Sequence, residues 1–198
     1  MHRLYLILSI AILASLLAGC TAKSGQTKTL EDYRMPTDVP SASSLTQTAQ
    51  TEVASLIPPK SCPVTTSENI SFTASKPFSP TAPWPGIFWY GSEHLWTALD
   101  SNGVWSKLPE NPDGYGQKIM WWSSLYSLQN ELEPALVVTG KRLDGEADPL
   151  RFDGATNAMA DDIGEAMLTG VEFPTSGCWE IRGEYKKSSL TFVVWVAP

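Results

Sequence analysis

The sequence is poor in basic residues and in histidine, and each shortage excludes a class of protein. It has 14 Lys and Arg against 21 Asp and Glu, for a formal net charge of −7. Proteins that bind nucleic acid need a basic surface for the phosphates, so no nucleic-acid partner is expected. The two histidines, His2 and His94, are too few for a metal site built from several imidazoles. We therefore expect neither a metal nor a cofactor.

Long hydrophobic runs are also missing, except at the amino terminus. Residues 4–17 form an apolar stretch of about 14 residues, short of the roughly 20 that cross a bilayer as a helix. The stretch follows Arg3 and ends at the small residues Ala18 and Gly19, a pattern typical of a secretory signal peptide. The sequence thus predicts that residues 1–19 are a signal peptide rather than a permanent span.

The end of this stretch, Leu17-Ala18-Gly19-Cys20, resembles the lipobox of bacterial lipoproteins. In that family the cysteine thiol receives a diacylglyceryl group, and its new amine is acylated with a fatty acid such as palmitate. The resemblance implies lipidation at Cys20 and an extracytoplasmic protein that is attached to the membrane without spanning it. The anchor would lie in the cell membrane, or in the outer membrane where an organism has two. An ordinary secretory leader with a chance cysteine is the alternative.

A change of composition separates a tether from a folded domain. Residues 20–61 are dominated by Ser, Thr, Ala, Gln and Pro and show no sustained apolar period, which predicts a lipidated, disordered tether. The pair Pro58-Pro59 marks a boundary, so the folded domain is predicted to span residues 62–198.

Short strands separated by turn residues are predicted throughout this domain. The predicted strands are residues 70–74, 86–91, 95–99, 104–108, 117–123, 135–142, 166–173, 177–185 and 190–196. The run Asp100-Ser101-Asn102-Gly103 is typical of a tight hairpin turn. Residues 109–116 are predicted as a loop and residues 124–132 as one or two helical turns. The whole pattern predicts an all-β, antiparallel sandwich.

Several segments resemble immunoglobulin-like domains of bacterial lipoproteins. The residues that carry the resemblance are 62–65, 140–145, 173–180 and 190–196, the last two forming a terminal hairpin. The resemblance covers roughly residues 62–198 and implies an immunoglobulin-like sandwich. It implies no particular activity.

The two remaining cysteines, Cys62 and Cys178, are expected to form a disulfide, because exported proteins meet an oxidising environment. Two free thiols are the alternative. Alternation along the strand places Cys178 with the polar residues, opposite Trp179. A bridge at this position would hold the first segment over the outside or rim of the domain, unlike the inward bridge of antibody domains.

Tryptophan is abundant, with eight residues in the chain. Neighbours on a strand face opposite ways, so Trp121 and Trp122 cannot both enter one core. The surplus rings are expected to be covered by a loop, or alternatively to form a platform for sugar or peptide. The candidate binding patch consists of Tyr90, Trp122 and Trp195.

The leading interpretation is a non-enzymatic envelope module that binds, or makes structural contact with, an envelope protein or glycan. The alternative is a hydrolase of cell-wall polymers that uses Asp144, Glu146 or Asp153, since glycosidases need two facing carboxyl groups. No catalytic residues are assigned, because His94 lacks the turn that presents a serine nucleophile. The acidic residues 144–162 are expected to form a solvated loop; calcium is a weaker alternative, since their spacing fails the EF-hand pattern.

Overall fold

The computed structural model describes residues 56–68 and 72–198, so the predicted signal peptide, Cys20 and nearly all of the predicted tether lie outside it. The described residues form ten strands and no helix, which confirms the all-β class. The strands are β1 (Ile87–Ser92), β2 (Leu95–Asp100), β3 (Val104–Trp105), β4 (Glu110–Asn111), β5 (Gly114–Trp122), β6 (Val137–Arg142), β7 (Arg151–Ala160), β8 (Gly164–Phe173), β9 (Gly177–Tyr185) and β10 (Ser188–Val196).

Two sheets share these strands. The first has the order β1-β2-β5-β8-β7, with β4 also paired to β5, and the second has the order β3-β10-β9-β6. Every pair is antiparallel except β3 with β10, which is parallel. The predicted sandwich is therefore confirmed, with one parallel exception to the antiparallel pattern.

The main core lies between the two sheets and is built by alternation along each strand. Trp121 of β5 and Ile181 of β9 are fully buried in it, and the ring of Trp121 packs at 5.8 Å from that of Phe192. Gly183 of β9 faces the same ring, and a Cβ at this position would collide with the indole. The missing side chain therefore lets the two sheets approach each other closely.

A second core covers the outer face of the first sheet. Trp89, Trp96 and Trp122 lie on this face and are buried against Ala166 and Ile163. The preceding segment crosses the face and supplies its cover: Phe72, Ala74, Phe78 and Ala82 pack on these rings. Trp121 and Trp122 thus enter different cores, as the alternation predicted, and a loop covers the rings of Trp89, Trp96 and Trp122.

The predicted hairpin at residues 100–103 is wrong in its pairing, although the turn itself forms. Gly103 has φ +68° and donates to the carbonyl of Asp100, while the Asn102 side chain accepts from Val104. However, β2 pairs with β1 and β5, whereas β3 pairs with β10 in the other sheet. The turn leads from the first sheet to the second, because β3 pairs with the edge of β10 that is opposite β9.

Four other local predictions are corrected. Residues 124–132 form turns rather than a helix, and residues 109–116 contain β4 and the start of β5 rather than only a loop. Asp153 belongs to strand β7 rather than to a loop and lies at the bulge between Phe152 and Ala155, whereas Asp161 and Asp162 lie in the turn after this strand. The predicted strand at 70–74 lies partly outside the described residues, and its described part, residues 72–74, forms no strand.

The disulfide between Cys62 and Cys178 is confirmed, with a Cα–Cα distance of 5.6 Å. Cys178 faces away from the main core and is fully buried, whereas its neighbour Trp179 lies in that core. The segment after Cys62 follows the edge of β10 that also pairs with β3, where the amide of Thr65 donates to the carbonyl of Val193 at 2.8 Å. The bridge therefore holds the first segment over the rim of the second sheet.

Candidate functional site

The predicted binding patch of Tyr90, Trp122 and Trp195 is not formed. Tyr90 points between the sheets, where its hydroxyl donates to the carbonyl of Thr191 at 3.0 Å. Trp122 is fully buried on the opposite face of the same sheet. Trp195 is half-buried on the outer face of the second sheet. The three rings occupy three different surfaces, because the pairing of strands distant in sequence decides which surfaces are adjacent.

The carboxylates of the alternative hydrolase hypothesis are also dispersed. Asp144 is held at 2.7 Å by the guanidinium of Arg142. Burial alone would raise the pKa of Asp144, but hydrogen bonds from Arg142 and the backbone of Cys178 lower it, which is the wrong direction for a general acid. Glu146 lines a shallow depression beside β6, and Asp153 lines a separate groove.

That groove lies on the outer face of the first sheet and has a volume of about 840 Å³. Gly116 and Gly170 lie among its lining residues, and a Cβ at Gly170 would meet no other atom. Two cationic side chains, Lys118 and Arg151, line the groove, and Arg151 is already paired with Glu172 at 2.7 Å and with Asp113 at 3.2 Å. Within residues 56–68 and 72–198, no group of three or more His, Cys, Asp or Glu side chains is placed to hold a metal ion.

A smaller pocket, which we call the aromatic pocket, lies at the end of the second core. Its volume is about 450 Å³, within the range of small-molecule sites. The pocket is lined by Ser75, Lys76, Pro77, Phe78, Trp96, Trp122, Ser123, Ser124, Tyr126, Gly164 and Glu165. Phe78 stands edge-on to Trp96 and Trp122, with ring centroids 5.5 and 6.3 Å apart. Strands β2 and β5 and the covering segment therefore supply three aromatic walls.

Two hydrogen-bond donors, on side chains that line this pocket, are covered by protein atoms and have no acceptor in the described part of the chain. They are Nε1 of Trp96, a side chain that is 1% exposed, and Oη of Tyr126, which is also buried. The neighbouring indoles contrast with Trp96, since Trp89 donates to Ser79 and Trp122 donates to Ile163, both at 2.9 Å. An unpaired buried donor costs about 1–3 kcal/mol, so each of these two donors lowers the stability of the fold by about that amount.

The other polar groups of the pocket carry opposite charges. Glu165 accepts a hydrogen bond from the amide of Leu128 at 2.8 Å, and Lys76 lies on the covering segment. Ser124 lies 3.3 Å from Nδ1 of His94, which places the histidine at the pocket margin. The pocket therefore has serine side chains, one carboxylate and one ammonium group among its lining residues, beside aromatic walls.

Behind the pocket, Tyr126 contacts a charged cluster. Tyr185 donates to the carboxylate of Glu131 at 2.6 Å, and Lys186 lies 3.6 Å from the same carboxylate. Burial alone would raise the pKa of Glu131, but the bonds from Tyr185, the backbone of Ala135 and Lys186 lower it. Burial raises the pKa of Tyr126, with further contributions from nearby carboxylates, and burial with the bond to Glu131 raises that of Tyr185. Both phenols are therefore neutral donors at neutral pH.

Sequence reasoning missed Trp96 and Tyr126 as site residues. The available signal was the abundance of aromatic residues, which singled out no ring. What distinguishes these two residues is the lack of an acceptor, and this depends on contacts with segments distant in sequence.

No family model matches the chain, and a search of curated proteins finds no match. Among solved structures, the chain is similar to a candidate lipoprotein from Bacillus anthracis, with a TM-score of 0.32 and 14% sequence identity. The similarity covers 68% of this chain and 88% of that one. In the described ranges, no helix is long and apolar enough to cross a bilayer.

Proposed function

We propose that this chain is a lipid-anchored extracytoplasmic protein whose sandwich domain binds a small molecule, or an exposed group of an envelope polymer, in the aromatic pocket. The observation that carries the binding role is the aromatic pocket itself, in which Phe78, Trp96 and Trp122 form apolar walls beside the polar side chains of Lys76 and Glu165. Small-molecule sites are typically clefts of this size with mostly apolar and aromatic walls and a few polar groups, and the aromatic pocket has this composition.

The anchor rests on the sequence. The apolar stretch of residues 4–17 and the lipobox-like Leu17-Ala18-Gly19-Cys20 support export and lipidation at Cys20. The disulfide between Cys62 and Cys178 agrees with export, since such bonds persist in oxidising compartments.

The immunoglobulin-like character is part of the same proposal. The run β2-β5-β8-β7 follows the strand order A-B-E-D of immunoglobulin sandwiches, and β10-β9-β6 follows G-F-C. The inter-sheet turn at residues 100–103 then corresponds to the first strand changing sheets. The outer position of the disulfide differs from that of antibody domains.

A labelling experiment tests the anchor. Cells producing the chain are grown with radiolabelled palmitate, and the Cys20→Ser variant serves as the matched control. Label is expected in the wild-type protein of the membrane fraction and not in the variant. An unlabelled wild-type protein, or a variant that is labelled equally, would contradict lipidation at Cys20.

A thermal-shift screen of small molecules tests the binding role. A true pocket ligand is expected to raise the melting temperature of the wild-type protein and to lose most of this effect in Phe78→Leu, which removes one aromatic wall of the pocket. The same change in Phe88→Leu, on the other face of the first sheet, is the control and is expected to leave the shift unchanged. If every stabilising compound acts equally on both variants, the pocket is not the binding site.

A further inference from the structure

We infer that strand β7 accepts a further strand at its open edge, and that this strand is an extended peptide segment of a partner protein with basic residues at both of its ends. No lining residue of the aromatic pocket belongs to β7, so this inference goes beyond the function proposed above. It follows from the unpaired backbone of β7, from the apolar side chains beside it and from the carboxylates at its two ends.

The backbone of β7 is available for pairing on one side. β7 is the last strand of the first sheet, and residues 155–160 pair with β8 in regular register. Alternate residues of such a strand direct their amide and carbonyl groups away from the paired neighbour. In the described part of the chain, the backbone of residues 155–159 makes no hydrogen bond outside the ladder with β8. None of the ten residues of β7 is buried, so this edge is open to solvent.

The edges of the second sheet differ from this one. The outer edge of β10 is covered by β3 and by the segment that contains Thr65. The edge strand β6 carries Lys141 and Arg142, whose charges oppose the addition of a strand. Charges, prolines and bulges are the usual protection of an edge, but residues 154–160 contain neither a charge nor a proline. The bulge of β7 lies before Ala155, so the regular edge after it is left unprotected.

Exposed apolar side chains lie beside the same edge. Met159 of β7 is 68% exposed and Leu132 is 69% exposed. The carbonyl of Leu132 accepts from Nδ2 of Asn157 at 2.9 Å, and Asn157 shares one face of β7 with Met159. An added strand would cover apolar surface on this face with every second side chain, while its backbone supplies the hydrogen bonds.

The charges at the two ends of the edge determine which strand fits. Asp153 precedes the regular edge, Asp161 and Asp162 follow it, and all three are exposed. The guanidinium of Arg151 is already paired with two other carboxylates. A second copy of β7 would bring carboxylates together in either direction, and facing like charges destabilise a strand pair. Basic residues at both ends of an added strand would instead face carboxylates.

The test uses the full-length protein, extracted in an uncharged polyoxyethylene detergent, and three fluorescein-labelled peptides with blocked ends. The first has about six alternating Thr and Val residues, the typical length of a strand, between pairs of lysines. The second has glutamate in place of each lysine. The third has proline in place of two central residues, which removes amides and prevents strand pairing. Fluorescence anisotropy measures binding, hydrogen exchange locates it, and light scattering corrected for detergent measures the mass of the protein.

The expected result is saturable binding of the lysine peptide, binding of the glutamate peptide that is at least about 10-fold weaker, and no binding of the proline peptide. Amide exchange in residues 151–160 should become slower, whereas exchange in β1, at the opposite end of the sheet, should stay unchanged. The double variant Asp161→Asn with Asp162→Asn should bind the lysine peptide about 2- to 10-fold more weakly. The double variant Glu68→Gln with Glu93→Gln removes the same charge elsewhere and should bind like wild type.

Each other outcome contradicts the inference in a defined way. Binding that leaves exchange in β7 unchanged would show that the peptide binds elsewhere. Equal binding of the glutamate peptide, or equal weakening in both double variants, would refute the selection of a basic partner at this edge. A dimeric protein whose β7 amides already exchange slowly without peptide would show that a second copy occupies the edge. Absence of binding up to about 10 mM would overturn strand addition, since specific sites bind at millimolar concentration or below.

Discussion

Removing the hydroxyl of Tyr126 should make the protein more stable, which is the opposite of the usual effect of losing a polar group from a folded protein. The oxygen atom is buried without a hydrogen-bond partner in the described part of the chain. Leaving a buried polar group unpaired costs about 1–3 kcal/mol, and phenylalanine retains the ring that packs against Tyr185. Allowing for the small void left by the oxygen, we expect Tyr126→Phe to raise the free energy of unfolding by about 1 kcal/mol.

Two variants that also replace a tyrosine by phenylalanine serve as controls for this change in the free energy of unfolding. Tyr185→Phe removes a 2.6 Å bond to the carboxylate of Glu131, and a hydrogen bond to a charged group is worth about 1.5–3 kcal/mol, so this variant should be clearly less stable. Tyr90→Phe removes an exposed bond to a backbone carbonyl and should lose about 0.5–1 kcal/mol. The same chemical change is thus expected to have opposite signs at different positions.

Guanidinium unfolding at pH 7, followed by fluorescence, measures all three variants against wild type. At this pH the phenols are neutral, since burial raises the pKa of Tyr126 and Tyr185 above the ordinary value of 10. The midpoint of Tyr126→Phe should rise with an unchanged slope. A loss of 1 kcal/mol or more in this variant would refute the reasoning, because it would mean that the hydroxyl has a partner in the folded protein.

Further predictions concern the two sheets and their bridge. Gly183→Ala should lower the free energy of unfolding by about 2 kcal/mol, because the new methyl group collides with Trp121. Denaturant unfolding measures this loss, and an unchanged midpoint would contradict the close packing of the two sheets. Replacing Cys62 and Cys178 together by alanine should lower the free energy of unfolding by up to about 5 kcal/mol, since the bridge closes a loop with a sequence separation of 116. A loss below 1 kcal/mol in the same assay would contradict a stabilising role of the bridge. The lowered pKa of Glu131 contributes stability that is present above its ordinary value of 4.5 and is lost as pH falls through the folded-state value. The free energy of unfolding, measured as pH is lowered, should therefore fall less steeply in Glu131→Gln than in wild type. Parallel curves for the two proteins would argue against the lowered pKa.

Local signals predicted the carboxyl-terminal hairpin well. Residues of β9 alternate between apolar and polar, and Lys186 takes the positive φ of 53° that a tight turn requires. Both strands pair along their full length, from Ser188 with Tyr185 to Val196 with Gly177. A hairpin is predictable because its partners are adjacent in sequence.

Long-range pairing explains what the sequence did not predict. The turn ending at Gly103 has the right local chemistry, but the partner of the following strand lies about ninety residues later, in β10. The aromatic pocket depends on the same kind of information, since Trp96, Tyr126 and Glu165 come from separate segments. No local sequence pattern predicts that an indole lacks a hydrogen-bond acceptor, because the acceptors near the indole come from segments distant in sequence.

The position of the disulfide also determines how the domain resists mechanical load. A pull on the chain before Cys62 passes through the sulfur atoms directly into β9, an interior strand flanked by β10 and β6. The hydrogen bonds on both sides of β9 then share the load in shear, and the segment between Cys62 and β3 is spared from being peeled off one bond at a time. Reduction of the bridge would restore peeling from the rim and lower the force at which the domain opens.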